Sequence, residues 1–481
     1  MATPSSSPGP VLMISVSGVR GLIGQTLTPQ VATEFGQAFG HFLKTQGSGV
    51  GGQGSGRPAL APLTPRPCVA IGRDTRPSGP MVHAAITAGL LSVGVDVIDL
   101  GVATTPSIAL MGRFLKSSAS IVITASHNPI IWNGIKFVRH DGIAFPPDQA
   151  AQIKQLYLEV RNGRFAPPLA DMDHLGRFST DSRAHANHVQ TVLQYFDARG
   201  IAEKRFRVVL DSVNGAGCAG TPMLLGKLGA ELIHMNAEGT GLFAHTPEPT
   251  RENLTTLCDE VRRKKAAVGF AQDPDADRLA IVDENGTYIG EEYTLALGAL
   301  ARMMVKPGAA VTNLSTSRMI DDIAGRFGQK VYRTPVGEAN VAGKMTEVGA
   351  VIGGEGNGGL IDLRVGPVRD SFLGIAMILD LMTCTGKTVS QLVAEIPRYT
   401  MIKTKFDCTP EQSAALVAKV KAEFGGKGGV AVDTQDGVRL DTPEGWVHVR
   451  QSNTEPIARI IAEARDEAAA NALIRQAQAL R

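Results

Sequence analysis

Ser120-Ile121-Val122-Ile123-Thr124-Ala125-Ser126-His127-Asn128-Pro129, with Asn133-Gly134-Ile135-Lys136 just beyond it, is the stretch whose reading decides the fold. Residues 120–123 are a short apolar, β-branched run, the pattern of a buried parallel strand. That run enters a polar loop carrying Ser126, His127, two asparagines and Lys136. Open α/β sheets bind ligands at the carboxyl ends of their strands, so the loop is a candidate site. Taken alone it is equally a turn before Pro129. Two more loops of the same kind downstream raise it above a turn.

Working outward, Met13 lies in a strand candidate, Val11 to Val16, that ends in Ser17-Gly18-Val19-Arg20-Gly21. A helix from about Thr28 to Lys44 follows, with Val31, Phe35 and Phe39 spaced for one face. Gln46 to Arg66 is rich in Gly, Ser and Pro and reads as a mobile surface insertion; no Gly-Lys-Ser/Thr closes it as a phosphate loop. From Val69 the chain falls into three thirds of similar layout. The first runs through Val69–Ile71 and Gly72-Arg73-Asp74-Thr75-Arg76 to the Ser126 loop. The second runs through Arg207–Leu210 and Asp211-Ser212-Val213-Asn214-Gly215 to Asp273-Pro274-Asp275-Ala276-Asp277-Arg278. The third runs through Ala310–Leu314 and Thr334-Pro335-Val336-Gly337 to Gly353-Gly354-Glu355-Gly356-Asn357-Gly358-Gly359. Alternating strands and helices predict mostly parallel sheets with helices on both faces. Past Tyr399 the pattern changes to a small α+β unit containing Arg450-Gln451-Ser452-Asn453-Thr454-Glu455-Pro456. The expected divisions are residues 1–183, 184–290, 291–398 and 399–481.

With 481 residues, 43% apolar and 20% charged, the chain has the profile of a globular protein of several domains. A net charge of +2 argues against a nucleic-acid partner. No apolar run approaches a membrane span; Leu295 to Val305 is interrupted by Arg302. Five scattered cysteines without a C-x-x-C pair fit reduced thiols, and with no signal-peptide layout at the start they place the protein in the cytoplasm.

Asp273, Asp275 and Asp277 alternate, so on an extended segment their carboxylates share one side. Three like charges that close call for a hard divalent cation. A solvated acidic turn and an EF-hand, with Glu284 at its twelfth position, are the competing readings; Arg278, which stands where an EF-hand needs glycine, and the strand-like flanks weigh against the latter. Magnesium at a strand edge is the expectation. Glu355 and Asn357 among glycines suit hydroxyl groups. Arg450, Ser452, Asn453, Thr454 and Arg459 suit a phosphate dianion.

In this order these motifs resemble the α-D-phosphohexomutase superfamily, over nearly the whole chain. The resemblance implies three similar mixed-sheet α/β domains plus a C-terminal α+β domain around a central cleft, each contributing one loop. It implies that Ser126 is the phosphorylated serine and that Asp273, Asp275 and Asp277 hold Mg²⁺ together with an oxygen on Ser126. It surrounds the transferring group with Arg20, His127, Lys136 and Arg278, with His127 and Lys136 as candidate proton-transfer partners. Glu355 and Asn357 are placed at the sugar, and Arg450, Ser452, Asn453, Thr454 and Arg459 at the phosphate that does not react. The implied activity interconverts hexose 6- and 1-phosphates through a hexose 1,6-bisphosphate, in a monomer or homodimer acting on a small molecule. Two departures stand out. Ala276 lies where members commonly carry glycine, and the sugar loop reads Glu-Gly-Asn-Gly-Gly where well-known branches carry Glu-x-Ser-Gly-His. The second favours phosphoglucosamine mutase, with phosphomannomutase/phosphoglucomutase as the alternative. A metal-dependent sugar phosphatase is the alternative from another class.

Overall fold

The structure is a computed structural model describing residues 11–15, 18–46, 66–451 and 457–481. Most of the glycine-, serine- and proline-rich insertion, and Ser452, Asn453 and Thr454, lie outside the described residues.

Four sheets follow one another along the chain. The first contains β1 (Met13–Ser15), β2 (Gly18–Leu22), β3 (Cys68–Arg73), β4 (Asp96–Val102), β5 (Ala119–Ile123), β6 (Trp132–Arg139) and β7 (Phe178–Thr180), in the order β1-β2-β6-β5-β3-β4-β7. The second contains β8 (Arg207–Asp211), β9 (Glu231–Met235), β10 (Val268–Gln272) and β11 (Leu279–Val282), ordered β11-β10-β8-β9. The third contains β12 (Ala310–Asn313), β13 (Val331–Thr334), β14 (Ile352–Glu355) and β15 (Gly359–Ile361), ordered β13-β12-β14-β15. The last contains β16 (Thr400–Asp407), β17 (Ala431–Asp433), β18 (Val438–Asp441), β19 (Gly445–Gln451) and β20 (Ile457–Ala464), ordered β16-β20-β19-β18-β17 and antiparallel throughout.

In the second and third sheets the parallel pairings outnumber the antiparallel one, and the first three sheets are all mixed, as the resemblance implies. In each, one strand runs parallel to a neighbour on one side and turns straight back into an antiparallel partner on the other. These are β5 into β6, β10 into β11, and β14 into β15. The three polar loops are therefore hairpin connections rather than strand-to-helix crossovers. A short hairpin holds both ends of the loop in one ladder, which fixes its side chains more tightly than a crossover would. Glu355 is the last residue of β14, paired with Gly359, instead of a loop residue.

The second and third sheets share one apolar core. It centres on the helices Glu292–Val305 and Ser371–Thr385, whose inward faces are almost wholly buried. The first and fourth sheets have cores of their own. One side-chain cluster rivets the first three units. Ser107 Oγ lies 2.8 Å from His188 Nδ1, His188 Nε2 lies 2.7 Å from Asp370 Oδ2, and the ring stacks on Phe372 with centroids 4.6 Å apart. Serine, histidine and aspartate in a row evoke a hydrolase, but all three are buried, with no access for a substrate. The cluster is structural.

The last sheet docks on the third through His448. Its Nε2 donates to the Asp436 carbonyl at 2.6 Å, so Nδ1 is the acceptor for Ser315 Oγ at 2.9 Å. Both contacts suit the neutral ring, and burial pushes its pKa down from 6.5 to about 4. The folded pKa lies below the unfolded one, so between those values the unfolded chain binds the extra proton. Stability conferred by His448 is complete above pH 6.5 and is lost as pH falls toward 4. His448→Gln is expected to flatten the acid limb of a stability–pH curve by up to about 1 kcal/mol per pH unit. Urea melts across this range check it.

Candidate active site

Ser126 sits in the left-handed backbone region at φ 51°, a conformation that costs a non-glycine residue about 1–2 kcal/mol. The surroundings hold it there. Its backbone N–H donates to Thr124 Oγ1 at 2.8 Å, and Thr124 Oγ1 donates to Asp74 Oδ2 at 2.7 Å. Arg76, wholly buried, donates to four carbonyl oxygens of the same loop: Ser126 at 2.6 Å, Asn128 at 2.7 Å, Pro129 at 2.8 Å and Trp132 at 3.0 Å. Its Nε bonds Asp74 Oδ2 at 3.1 Å. The whole fork of one arginine is thus used to shape the serine loop.

The strain presents Ser126 Oγ to the second sheet, where it donates to Asp273 Oδ2 at 2.8 Å. Asp273, Asp275 and Asp277 are all fully buried, and one carboxylate oxygen from each falls within 4.8 Å of the others. Lys136 Nζ reaches Asp275 Oδ2 at 2.8 Å and lies 3.7 Å from Asp277. Thr105 Oγ1 also donates to Asp275 Oδ2, at 2.6 Å. The Arg278 N–H donates to Asp273 Oδ1 at 3.2 Å. Ala276, the departure from glycine, keeps the left-handed conformation at φ 54°, and its carbonyl is held by Ser371 Oγ at 2.7 Å.

Burial and the two neighbouring carboxylates hold the Asp273 pKa well above the usual range. Burial acts the same way on Asp275, but the charge and hydrogen bond of Lys136 outweigh it and bring Asp275 below that range. Lys136 is lifted in turn: burial lowers it, and Asp275 and Asp277 more than compensate. His127, 3.4 Å from Ser126 Oγ, is driven down to about 2 by burial and by the charges of Arg278 and Arg20. Arg20 lies opposite Gly134 on the neighbouring strand, half-buried in the field of Asp275, Arg278, Asp277 and Arg369.

Whether the triplet fits a cation is answered by its unpaired atoms. Asp275 Oδ1 and Asp277 Oδ1 are buried with no hydrogen-bond partner. Two buried carboxylate oxygens without a hydrogen bond, one of them 3.9 Å from Arg278 Nε, are costly unless an ion takes them, and an all-oxygen set suits magnesium or manganese. The residues fit a hard divalent cation.

The structure thus brings together Ser126, His127, Lys136, Arg20, Arg278 and the three aspartates. It also ties Glu355 to them, indirectly. Both Glu355 oxygens are engaged by protein donors: Oε1 by Asn313 Nδ2 at 2.9 Å and the Gly337 N–H at 3.0 Å, Oε2 by Arg369 Nη1 at 3.1 Å. Asn357 Oδ1 is buried without a partner. Arg450 and Arg459 face each other across β19 and β20, and Arg450 Nε is held by Asp436 Oδ2 at 2.8 Å. The sequence reading missed Arg76, Thr105 and Arg369. Arg76 had a signal, an arginine two residues after an aspartate at a strand end; the others had none.

Comparison with known proteins places this geometry in a family. Four consecutive family descriptions match: "Phosphoglucomutase/phosphomannomutase, alpha/beta/alpha domain I" over residues 13–164, domain II over 185–286, domain III over 291–399, and the C-terminal domain over 403–479. The chain belongs to the phosphoglucomutase/phosphomannomutase family. It is 39% identical to a phosphoglucomutase/phosphomannomutase of Thermococcus kodakarensis, over 94% of each chain. It is 36% identical to a probable phosphoglucosamine mutase of Methanopyrus kandleri, over 95% of each. A crystal structure of a phosphoglucomutase/phosphomannomutase family protein from Burkholderia thailandensis superimposes with a TM-score of 0.81 at 26% identity, covering 97% of each chain. Among the described residues no helix is long and apolar enough to cross a membrane.

The serine loop's dependence on Arg76 is testable. Arg76→Met leaves Asp74 buried without its cationic partner and takes a donor from four carbonyls, of which only that of Pro129 is known to keep another, the Trp132 N–H at 3.0 Å. It is expected to cost about 3–5 kcal/mol in urea melts followed by tryptophan fluorescence. Arg73→Met removes only a 3.5 Å contact to the Asp74 carbonyl and is expected to cost less than about 1 kcal/mol.

Proposed function

We propose that this chain is a phosphohexomutase that moves a phosphoryl group between O6 and O1 of a hexose phosphate by way of Ser126. The observation that carries the reading is the bond from Ser126 Oγ to Asp273 within a buried carboxylate triplet that retains two unpaired oxygens. A serine alone at a cation site serves phosphoryl transfer better than acyl transfer: phosphoryl chemistry asks the protein for positioning and charge compensation, and little covalent work beyond the nucleophile.

Asp273, Asp275 and Asp277 would hold Mg²⁺, which supplies charge neutralisation at the transferring group. Ser126 Oγ carries the phosphoryl and is aimed by the Arg76-braced loop. Lys136, Arg278 and Arg20 face the non-bridging oxygens with positive charge. His127 is neutral at physiological pH and serves as a hydrogen-bonding partner beside Ser126, not as an imidazolium acid. Glu355, through its loop, and Asn357 face the sugar; Arg450, Arg459 and residues 452–454 take the distal phosphate. The hexose 1,6-bisphosphate must turn over so that either phosphate can face Ser126, which explains a clamp on a separate sheet joined to the third mainly by hydrogen bonds and ion pairs.

Glucosamine 6-phosphate is the proposed first substrate, on the Glu-Gly-Asn-Gly-Gly loop and the several relatives at 31–36% identity named probable phosphoglucosamine mutase. The relative at 39% identity, named phosphoglucomutase/phosphomannomutase, favours glucose and mannose phosphates as the second reading.

Turnover with glucosamine-, glucose- and mannose-6-phosphate, with isomerised product and free phosphate measured together, tests the reading. Isomerised product far in excess of released phosphate is expected; stoichiometric phosphate release would make it a phosphatase. Ser126→Ala is expected to lose at least about a thousandfold in turnover while still binding the sugar phosphate. Chelation should abolish turnover, with recovery on adding Mg²⁺.

A further inference from the structure

Arg369 belongs to none of the polar loops. It follows β15 and stands one residue before Asp370, which caps the helix Ser371–Thr385. Three carboxylates from three segments converge on it. Nη2 donates to Asp277 Oδ2 at 2.6 Å, Nη1 to Glu355 Oε2 at 3.1 Å, and Nε to Glu338 Oε2 at 2.7 Å. Its backbone N–H adds a second bond to Glu338 at 3.2 Å. Asp277 comes from the aspartate hairpin, Glu355 from the glycine-rich hairpin, and Glu338 from the first turn of the helix Glu338–Val348.

The site is built for this arginine. A Cβ at Gly359 would lie 2.1 Å from Arg369 Cδ, so a side chain there would force the arginine to shift from its place. The glycine that departs from the better-known loop pattern is thus the one that admits Arg369. A planar fork cannot follow one carboxylate without changing its angle to the others. Contacts also continue outward: Gly337, which donates to Glu355, adjoins Val336, whose N–H donates at 3.1 Å to the Asp436 carboxylate that holds Arg450.

We propose that Arg369 is a positioning residue that couples the two hairpins, so that the state of Glu355 sets the placement of Asp277 at the cation site. The inference rests on the reading of the triplet as a cation site, and extends it: sugar seated at the glycine-rich loop would be sensed at the ion before phosphoryl transfer begins.

Contact continuity does not establish coupling, whereas a double-mutant cycle does. The readout is Mn²⁺ binding to the unphosphorylated protein by calorimetry, with no substrate present. Glu355→Gln, which keeps the side chain's shape, is expected to shift the Mn²⁺ dissociation constant on the order of threefold to tenfold when Arg369 is present. In Arg369→Met the same substitution is expected to leave it unchanged. Arg369→Lys, a point charge unable to span three acceptors, is expected to show an intermediate effect, and it replaces the methionine variant if that fails to fold. An equal shift in both backgrounds, or none with Arg369 present, overturns the proposal. A parent protein that binds no Mn²⁺ overturns the cation site itself along with it.

Discussion

Three carboxylates confined to one fully buried loop repel one another, and relieving that repulsion organises this protein. Asp273, Asp275 and Asp277 have no water to spread their charge. Relief comes from outside their own sheet: Lys136 from the first, Arg369 from the third, with Arg278 beside them. Even so, two oxygens stay unpaired. The aspartate loop is therefore both the joint that draws the units together and the place where a cation has most to gain. Lys136 and Arg369 stabilise the fold by offsetting the triplet's charge from two different sheets.

The strained serine follows from the same arrangement. Ser126 can reach Asp273 only from a left-handed backbone position, and an unbraced loop would relax away from it. Arg76 makes the position durable by binding four carbonyls of the loop with one rigid fork. Ala276, across the gap, is held in the same conformation by Ser371. Strain at both faces of the site is thus supported by hydrogen bonds from residues that take no direct part in the chemistry.

What was legible in the sequence divides along physical lines. The layout of strands and loops was readable because β-branched runs such as Ile121–Ile123 and turns rich in glycine or aspartate are local signals. The triplet was readable because period-two spacing sets a common direction. The hairpin turn of each loop was not, since β5 pairing with β6 depends on which of several apolar runs meet in space. Arg369 and Thr105 were hidden for a related reason: each acts on partners remote in sequence, and an arginine destined for burial looks like one destined for solvent. Gly359 shows the limit well. Its loop departed visibly from the better-known pattern, but the cause lay ten residues away in a side chain that needed the room. Glu355 was expected to face a ligand, and in the structure both of its oxygens are engaged by the protein.

The account stands on a divalent ion lodged between the three aspartates and within reach of Ser126 Oγ. Crystals grown with Mn²⁺ and exposed at the manganese absorption edge would locate it directly. One anomalous peak within about 2–2.5 Å of an oxygen from each of Asp273, Asp275 and Asp277, on the side facing Ser126, is the predicted result. An absent peak at saturating Mn²⁺, or a peak held by other residues away from Ser126, would contradict it.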